Sequence, residues 1–177
     1  MVAQTLMTSS IRPTEMIKSR NLRNISSYAS GKVRVETGEL LELQRLIKFT
    51  QLRFFCHQKS TGRIFHIMTK RNPAGKAAVH YLIKSSTTRP QACGSFEALP
   101  NDNSILVANC NKWGNNGRCS GSNKWGSAGY PDGYRVYNNP VFWKGKSYVN
   151  FNPKFLACDG FSNAPLSKGD KWQLFVR

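Results

Sequence analysis

The chain has 177 residues, 40% of them apolar, with 10 Phe, 6 Tyr and 4 Trp, which is enough to bury one core of ordinary domain size. Lysine and arginine number 26 against 9 acids, a net charge of +17, and a field of that sign favours polyanionic partners such as nucleic acid, sulfated glycan or an anionic membrane surface. No stretch approaches the roughly 20 apolar residues that a membrane-spanning helix needs, so a transmembrane segment is not expected.

In chain order, residues 1–36 are rich in serine and arginine without sustained periodicity and read as poorly ordered. Residues 1–30 also lack an apolar stretch of about 7 to 15 residues followed by a small-residue cleavage site, so a secretory signal of ordinary form is missing. Two explanations stand beside each other. Either the start is misassigned, the reading ranked first, or the segment is an organellar transit peptide, to which Arg12, Arg20, Arg23 and Arg34 with Glu15 as the sole acid of residues 8–34 would be suited. Over residues 39–49 the order Leu40, Leu43, Ile47 with Leu41 and Leu46 predicts an amphipathic helix opened by Thr37-Gly38, with Glu39 and Glu42 near its positive end. The expected organisation is therefore a basic, poorly ordered segment over 1–49 with a short helix at about 38–49, followed by a β-rich disulfide-bonded domain over 50–177. Most of the charge falls in the second part: residues 1–50 hold 8 basic and 4 acidic residues (+4), leaving 18 − 5 = +13 for residues 51–177.

Beyond residue 50 the pattern turns to strands. Leu52, Phe54 and Cys56 alternate with Arg53, Phe55 and His57, Ser60-Thr61-Gly62 supplies a turn, and residues 63–69 resume a β-branched and aromatic run, together a hairpin. Residues 70–75 read as a second turn, and 77–83 are ambiguous between strand and helix before Arg89-Pro90. Ser104 is placed to open a short helix over 105–108. Residues 134–137, 141–143, 148–151 and 172–176 predict further short strands; in the last, Trp172, Leu174 and Val176 share one face and Lys171, Gln173 and Phe175 the other. The fold class is mainly β, antiparallel and sandwich-like, with one or two short helices.

Residues 109–133 form a long loop rich in glycine and asparagine, in which Asn111-Lys112-Trp113-Gly114 recurs as Asn123-Lys124-Trp125-Gly126. Two copies are too few for a stacked repeat and suggest two similar turns. Trp113 and Trp125, each beside a lysine (Lys112, Lys124) and followed by glycine, are candidate ligand contacts: the ring stacks on a sugar or base and the ammonium meets an anionic group. Tyr130, Tyr134 and Trp143 are weaker candidates of the same kind. The competing role is structural, both indoles plugging the core beneath the loop.

The cysteines, Cys56, Cys93, Cys110, Cys119 and Cys158, contain no Cys-x-x-Cys, so neither a zinc site nor a thioredoxin-type pair is indicated and bridging in an oxidising compartment is the better reading. His57, His66 and His80 in a basic chain raise a metal-free ribonuclease as an alternative, but His66 lies inside an apolar run and reads as a hydrogen-bonded core residue. Asp102 and Asp132 are single carboxylates in turn sequences, too few for calcium. No Gly-x-Ser-x-Gly appears, and no metal or cofactor is expected. Asn24-Ile25-Ser26 is the only glycosylation sequon.

The succession Leu52-Arg53-Phe54-Phe55-Cys56, the run 62–69, Ala92-Cys93-Gly94-Ser95-Phe96, Leu99-Pro100-Asn101-Asp102-Asn103-Ser104, Cys110 with Lys112-Trp113-Gly114, Lys124-Trp125-Gly126, Cys158-Asp159 and the ending 169–177 resembles an uncharacterised extracellular module of marine invertebrates, cnidarians in particular, over about residues 50–177. The resemblance implies a secreted or cell-surface protein whose regular cysteines are 56, 93, 110 and 158. Cys119 departs from that set. Of the three ways to join four cysteines, Cys93 with Cys110 and Cys56 with Cys158 is the pairing adopted. The leading expectation is a non-catalytic extracellular module that binds a glycan, acidic in particular, or a protein ligand; a secreted ribonuclease and a structural matrix or interaction protein are the alternatives.

Overall fold

The computed structural model describes residues 4–10, 17–19, 33–114, 123–126, 135–152, 155–160 and 166–177. In chain order these hold β1 (Gln4–Ser10), β2 (Ile17–Ser19), β3 (Val33–Val35), α1 (Thr37–Ile47), β4 (Leu52–Gln58), β5 (Arg63–Thr69), α2 (Pro73–Leu82), β6 (Phe96–Ala98), α3 (Ile105–Ala108), β7 (Val141–Trp143), β8 (Ser147–Asn150), β9 (Ala157–Gly160) and β10 (Lys171–Val176). The strands form a large sheet, β2-β3-β1-β10-β4-β5-β6, and a small one, β7-β8-β9. Pairing is antiparallel except between β2 and β3. The protein is mainly β with short helices.

The strict alternation of β4, with Leu52, Phe54, Cys56 and Gln58 buried and the residues between them partly exposed, puts one face of the large sheet on the core. The terminal strand β10 does the same with Trp172, Leu174 and Val176, and pairs along its whole length with β4. Helices α1 and α2 pack Leu40, Leu43, Ala78, Val79, Tyr81 and Leu82 into that same core. The small sheet joins it through Val141, Val149 and Cys158.

Three regions add to or differ from the expectation. First, among the described residues of 1–36, β1 pairs with β10 over Gln4–Ser10 and β3 leads directly into α1. The C-terminal strand would otherwise carry an unpaired edge. Val35, Leu40, Leu43 and Phe49 lie in the common core. Second, the ambiguous 77–83 run is the end of helix α2, which starts inside the expected turn: Asn72 caps it by accepting from Gly75 N at 2.8 Å, and Pro73 occupies its first turn. Third, residues 135–138 form a turn instead of a strand. The short helix α3 stands where Ser104 predicted it, with the Ser104 hydroxyl accepting from Val107 N.

The free edge of β5 beyond β6 is closed by side chains. Asp102 accepts from His66 N at 2.7 Å, Asn103 Oδ1 accepts from Ile64 N at 2.7 Å, and Asn103 Nδ2 donates to Gly62 O at 2.9 Å. Turn residues here mimic a strand and remove a template for intermolecular pairing. Asp102 thus works as a turn acceptor, as its sequence suggested.

Two disulfides, Cys56 to Cys158 and Cys93 to Cys110, complete the frame, with Cα separations of 5.6 and 5.4 Å. The first ties β4 of the large sheet to β9 of the small one. The second ties the segment before β6 to the 3-10 turn at Cys110–Lys112.

Candidate functional site

The two Asn-Lys-Trp-Gly copies meet in the core. Trp113 and Trp125 are each 0% exposed, their rings edge-to-face at 5.2 Å. Phe96 of β6 stacks flat on Trp113 at 4.8 Å and stands edge-on to Trp125 at 6.0 Å, while Phe54 and Phe65 approach from β4 and β5. Both indole N–H groups are satisfied inside: Trp113 Nε1 donates to Leu106 O at 2.7 Å and Trp125 Nε1 to Ser95 Oγ at 2.8 Å. Neither ring presents a face to solvent. The expectation that these two tryptophans stack on a ligand is therefore corrected, because an aromatic cluster spanning the large sheet and the loop offers them more buried area than one ligand ring would.

Residues that sequence reading passed over hold this arrangement. Arg89 donates through Nε to Trp125 O at 3.1 Å and through Nη2 to Gly126 O at 3.0 Å and Gly114 O at 3.4 Å, so one guanidinium grips both turns. Asn123 Oδ1 accepts from Cys93 N at 2.6 Å and Ala92 N at 3.2 Å, fastening the second copy beside the Cys93 bridge. Gly114 has φ +77° and its missing Cβ would strike the Arg89 guanidinium and Lys124 O, which explains the glycine after the first tryptophan. A partly buried loop arginine such as Arg89 has no periodicity by which a sequence could announce it.

The remaining loop candidates separate. Lys112 is exposed, Lys124 is partly exposed and forms an isolated bridge with Gln91, and Trp143 packs partly buried against the core. Tyr130, Tyr134, Cys119 and Asp132 lie outside the described residues.

His66 is 7% exposed and engaged at both nitrogens. Arg53 Nε donates to its Nε2 at 2.8 Å, which leaves the proton on Nδ1, facing Asn101 Oδ1 at 2.7 Å and Pro100 O at 3.1 Å. A ring used in this way has no lone pair directed at a substrate. His80 sits exposed in the last turn of α2, its Nδ1 2.7 Å from the Ser85 hydroxyl, while His57 and His66 lie on β4 and β5. Among the described residues no three His, Cys, Asp or Glu side chains gather to hold a metal, and no helix is long and apolar enough to cross a membrane.

His66 and Arg53 belong to the outward face of the large sheet. Register places three rows across β10, β4 and β5: Lys171, His57 and Ile64; Gln173, Phe55 and His66; Phe175, Arg53 and Met68. The Arg53 guanidinium lies 4.8 Å from the Phe175 ring centre, and Phe55 stands edge-on to His66 at 5.2 Å. Phe55, His57 and Phe175 are partly exposed and Lys171 is exposed.

Two buried charges serve the frame. The Arg135 guanidinium, 4% exposed, lies 4.0 Å over the Tyr81 ring and donates to Tyr81 O at 3.0 Å, closing the end of α2 with a cation. Asp159, beside the Cys158 bridge, accepts from Ile105 N at 2.6 Å, Leu106 N at 2.9 Å and the Ser147 hydroxyl at 3.1 Å, joining α3 to the small sheet. Burial pushes its carboxyl above the ordinary aspartate value of 3.8, against the opposing pull of those donors and of Arg63. A carboxyl raised on folding costs stability as pH climbs from the ordinary value through the folded one. Asp159→Asn removes this titration and turns an amide N–H toward backbone donors, a loss of about 1 to 3 kcal/mol. The wild-type advantage over this variant is expected to be largest in acid and to shrink as pH rises through that window. Denaturant titrations over a pH series check it; an advantage that grows with pH would contradict the burial argument.

Comparison of the chain with protein-family models, curated proteins and solved structures gives no match.

Proposed function

We propose that the protein is a non-catalytic extracellular module that binds an acidic glycan. The observation that carries the reading is charge: 26 basic residues face 9 acids. The seven strands of the large sheet contain Lys18, Arg34, Arg53, Arg63 and Lys171 against Glu97 as their one acid. Two disulfides in a chain with a full-sized core fit an oxidising compartment, where acidic polysaccharides are the abundant polyanions. The engagement of both His66 nitrogens counts against the ribonuclease alternative.

The experiment is retention on immobilised heparin and on neutral glycans across a salt series. Retention on heparin alone, falling steeply with salt, is expected. Equal retention on both matrices, or none, rejects an acidic glycan as the ligand. A second reading, a structural matrix or interaction protein, is favoured by the burial of both tryptophans, since the loop then contributes stability and no ligand contact. It predicts no retention on either matrix.

A further inference from the structure

The geometry points to the outward face of β10, β4 and β5 as the surface on which a sulfated or carboxylated sugar chain lies, running along β4. This assignment rests on the reading of the protein as a module for acidic glycans.

Among the described residues, the inward face of β10, β4 and β5 is committed to the core, and the β5 edge is closed by Asp102 and Asn103. On the outward face, Lys171 and His57 are directly opposite each other at one end and Arg53 lies four residues along β4 at the other. At the usual rise of a strand Lys171 and Arg53 stand about 13 Å apart along β4, with Phe55 between them, a spacing that anionic groups on sugars flanking a ring over the phenyl can span. The one acid in the strands of that sheet, Glu97, pairs with Met68 and so ends the Arg53 row on the same face, two strands from Arg53. Arg53 is held in place by Phe175 beneath it and His66 beside it, so its guanidinium is preordered and loses little side-chain freedom on binding.

A single-stranded nucleic acid would use the same elements, bases on Phe55 and phosphates on the cations. The disulfides favour the glycan, because they belong to a compartment in which free nucleic acid is scarce.

The test measures affinity for a defined heparin oligosaccharide and for a single-stranded RNA of matched charge, at about 0.15 M salt. The proteins are wild type, Lys171→Glu, Phe55→Ala and, as a control on the exposed side of α2, Lys76→Glu. Lys171 and Lys76 are exposed, so these two variants keep the fold even where Phe55→Ala does not. Lys171→Glu is expected to weaken oligosaccharide binding about tenfold, the loss of one charge-assisted contact, and Lys76→Glu to change it less than about threefold. Equal weakening by Lys171→Glu and Lys76→Glu, or by neither, overturns this face as the site while leaving an acidic-glycan module intact. Wild type that ignores the oligosaccharide overturns both. RNA bound about tenfold more tightly than the oligosaccharide, and lost in Lys171→Glu, overturns the sugar as occupant.

Discussion

Trp125→Ala and Trp113→Ala are each expected to lower stability by about 3 to 5 kcal/mol, a fall in melting temperature of roughly 6 to 20 °C for a chain of this size. The magnitude follows from what each ring holds. Trp125 touches Phe54, Phe96 and Trp113, and its N–H donates to the buried Ser95 hydroxyl; removing it opens a cavity among three aromatic rings and leaves that hydroxyl only its bond to Ala92 O. Trp113 joins Phe65 and Phe96 to the backbone of α3 through Leu106. Trp→Phe at either position is expected to cost less, since it keeps most of the volume and loses the hydrogen bond. The check is thermal unfolding followed by near-ultraviolet circular dichroism, with heparin affinity measured in parallel below the transition. A large fall in melting temperature with unchanged affinity fits rings that serve the core. A melting temperature within about 2 °C of wild type would mean that the indoles are not packed as described.

Opening the Cys56–Cys158 bridge is the other large perturbation. The bridge spans 102 residues, and on the chain-entropy account its loss costs about 4 to 5 kcal/mol, against about 3 kcal/mol for Cys93–Cys110, which spans 17. Each pair is best replaced whole by alanine, because a single replacement leaves a thiol able to exchange with its neighbours. Chemical denaturation should then rank wild type, Cys93→Ala/Cys110→Ala and Cys56→Ala/Cys158→Ala in order of falling midpoint. The longer bridge also joins the two sheets, so its loss should speed exchange of the β9 amides more than those of β4. Both double variants unfolding with the wild-type midpoint would show that the core alone carries the fold. All thiols reduced in natively isolated protein would remove the argument for an oxidising compartment.

Local patterns carried the frame unevenly. The period-2 alternation of Leu52, Phe54 and Cys56 and of Trp172, Leu174 and Val176 was readable because one face of those strands is dry, and burial imposes its period on the sequence. Ser104 was readable because a cap is a contact between near neighbours. By contrast, β1 carries no clear alternation, and its place in the sheet comes from the edge that β10 offers it. The α2 run is apolar in a way that suits strand or helix, and Asn72 with Pro73 decided the matter. The paired Asn-Lys-Trp-Gly turns were visible as a repeat, yet nothing in four residues says whether a tryptophan looks outward or inward.

The sequence by itself determined the class of the fold, the excess of positive charge and the presence of enough cysteines for a stapled β protein, since these depend on composition and on periods shorter than a strand. Only the tertiary structure decided that Trp113 and Trp125 fill the core, that Arg89 grips both of their turns, and that Arg53, Phe55, His57, Phe175 and Lys171 share one outward face. The physical reason is that orientation and juxtaposition are set by the packing of segments far apart in the chain. Lys171 and His57 are separated by more than a hundred residues in sequence and stand side by side because β10 pairs with β4.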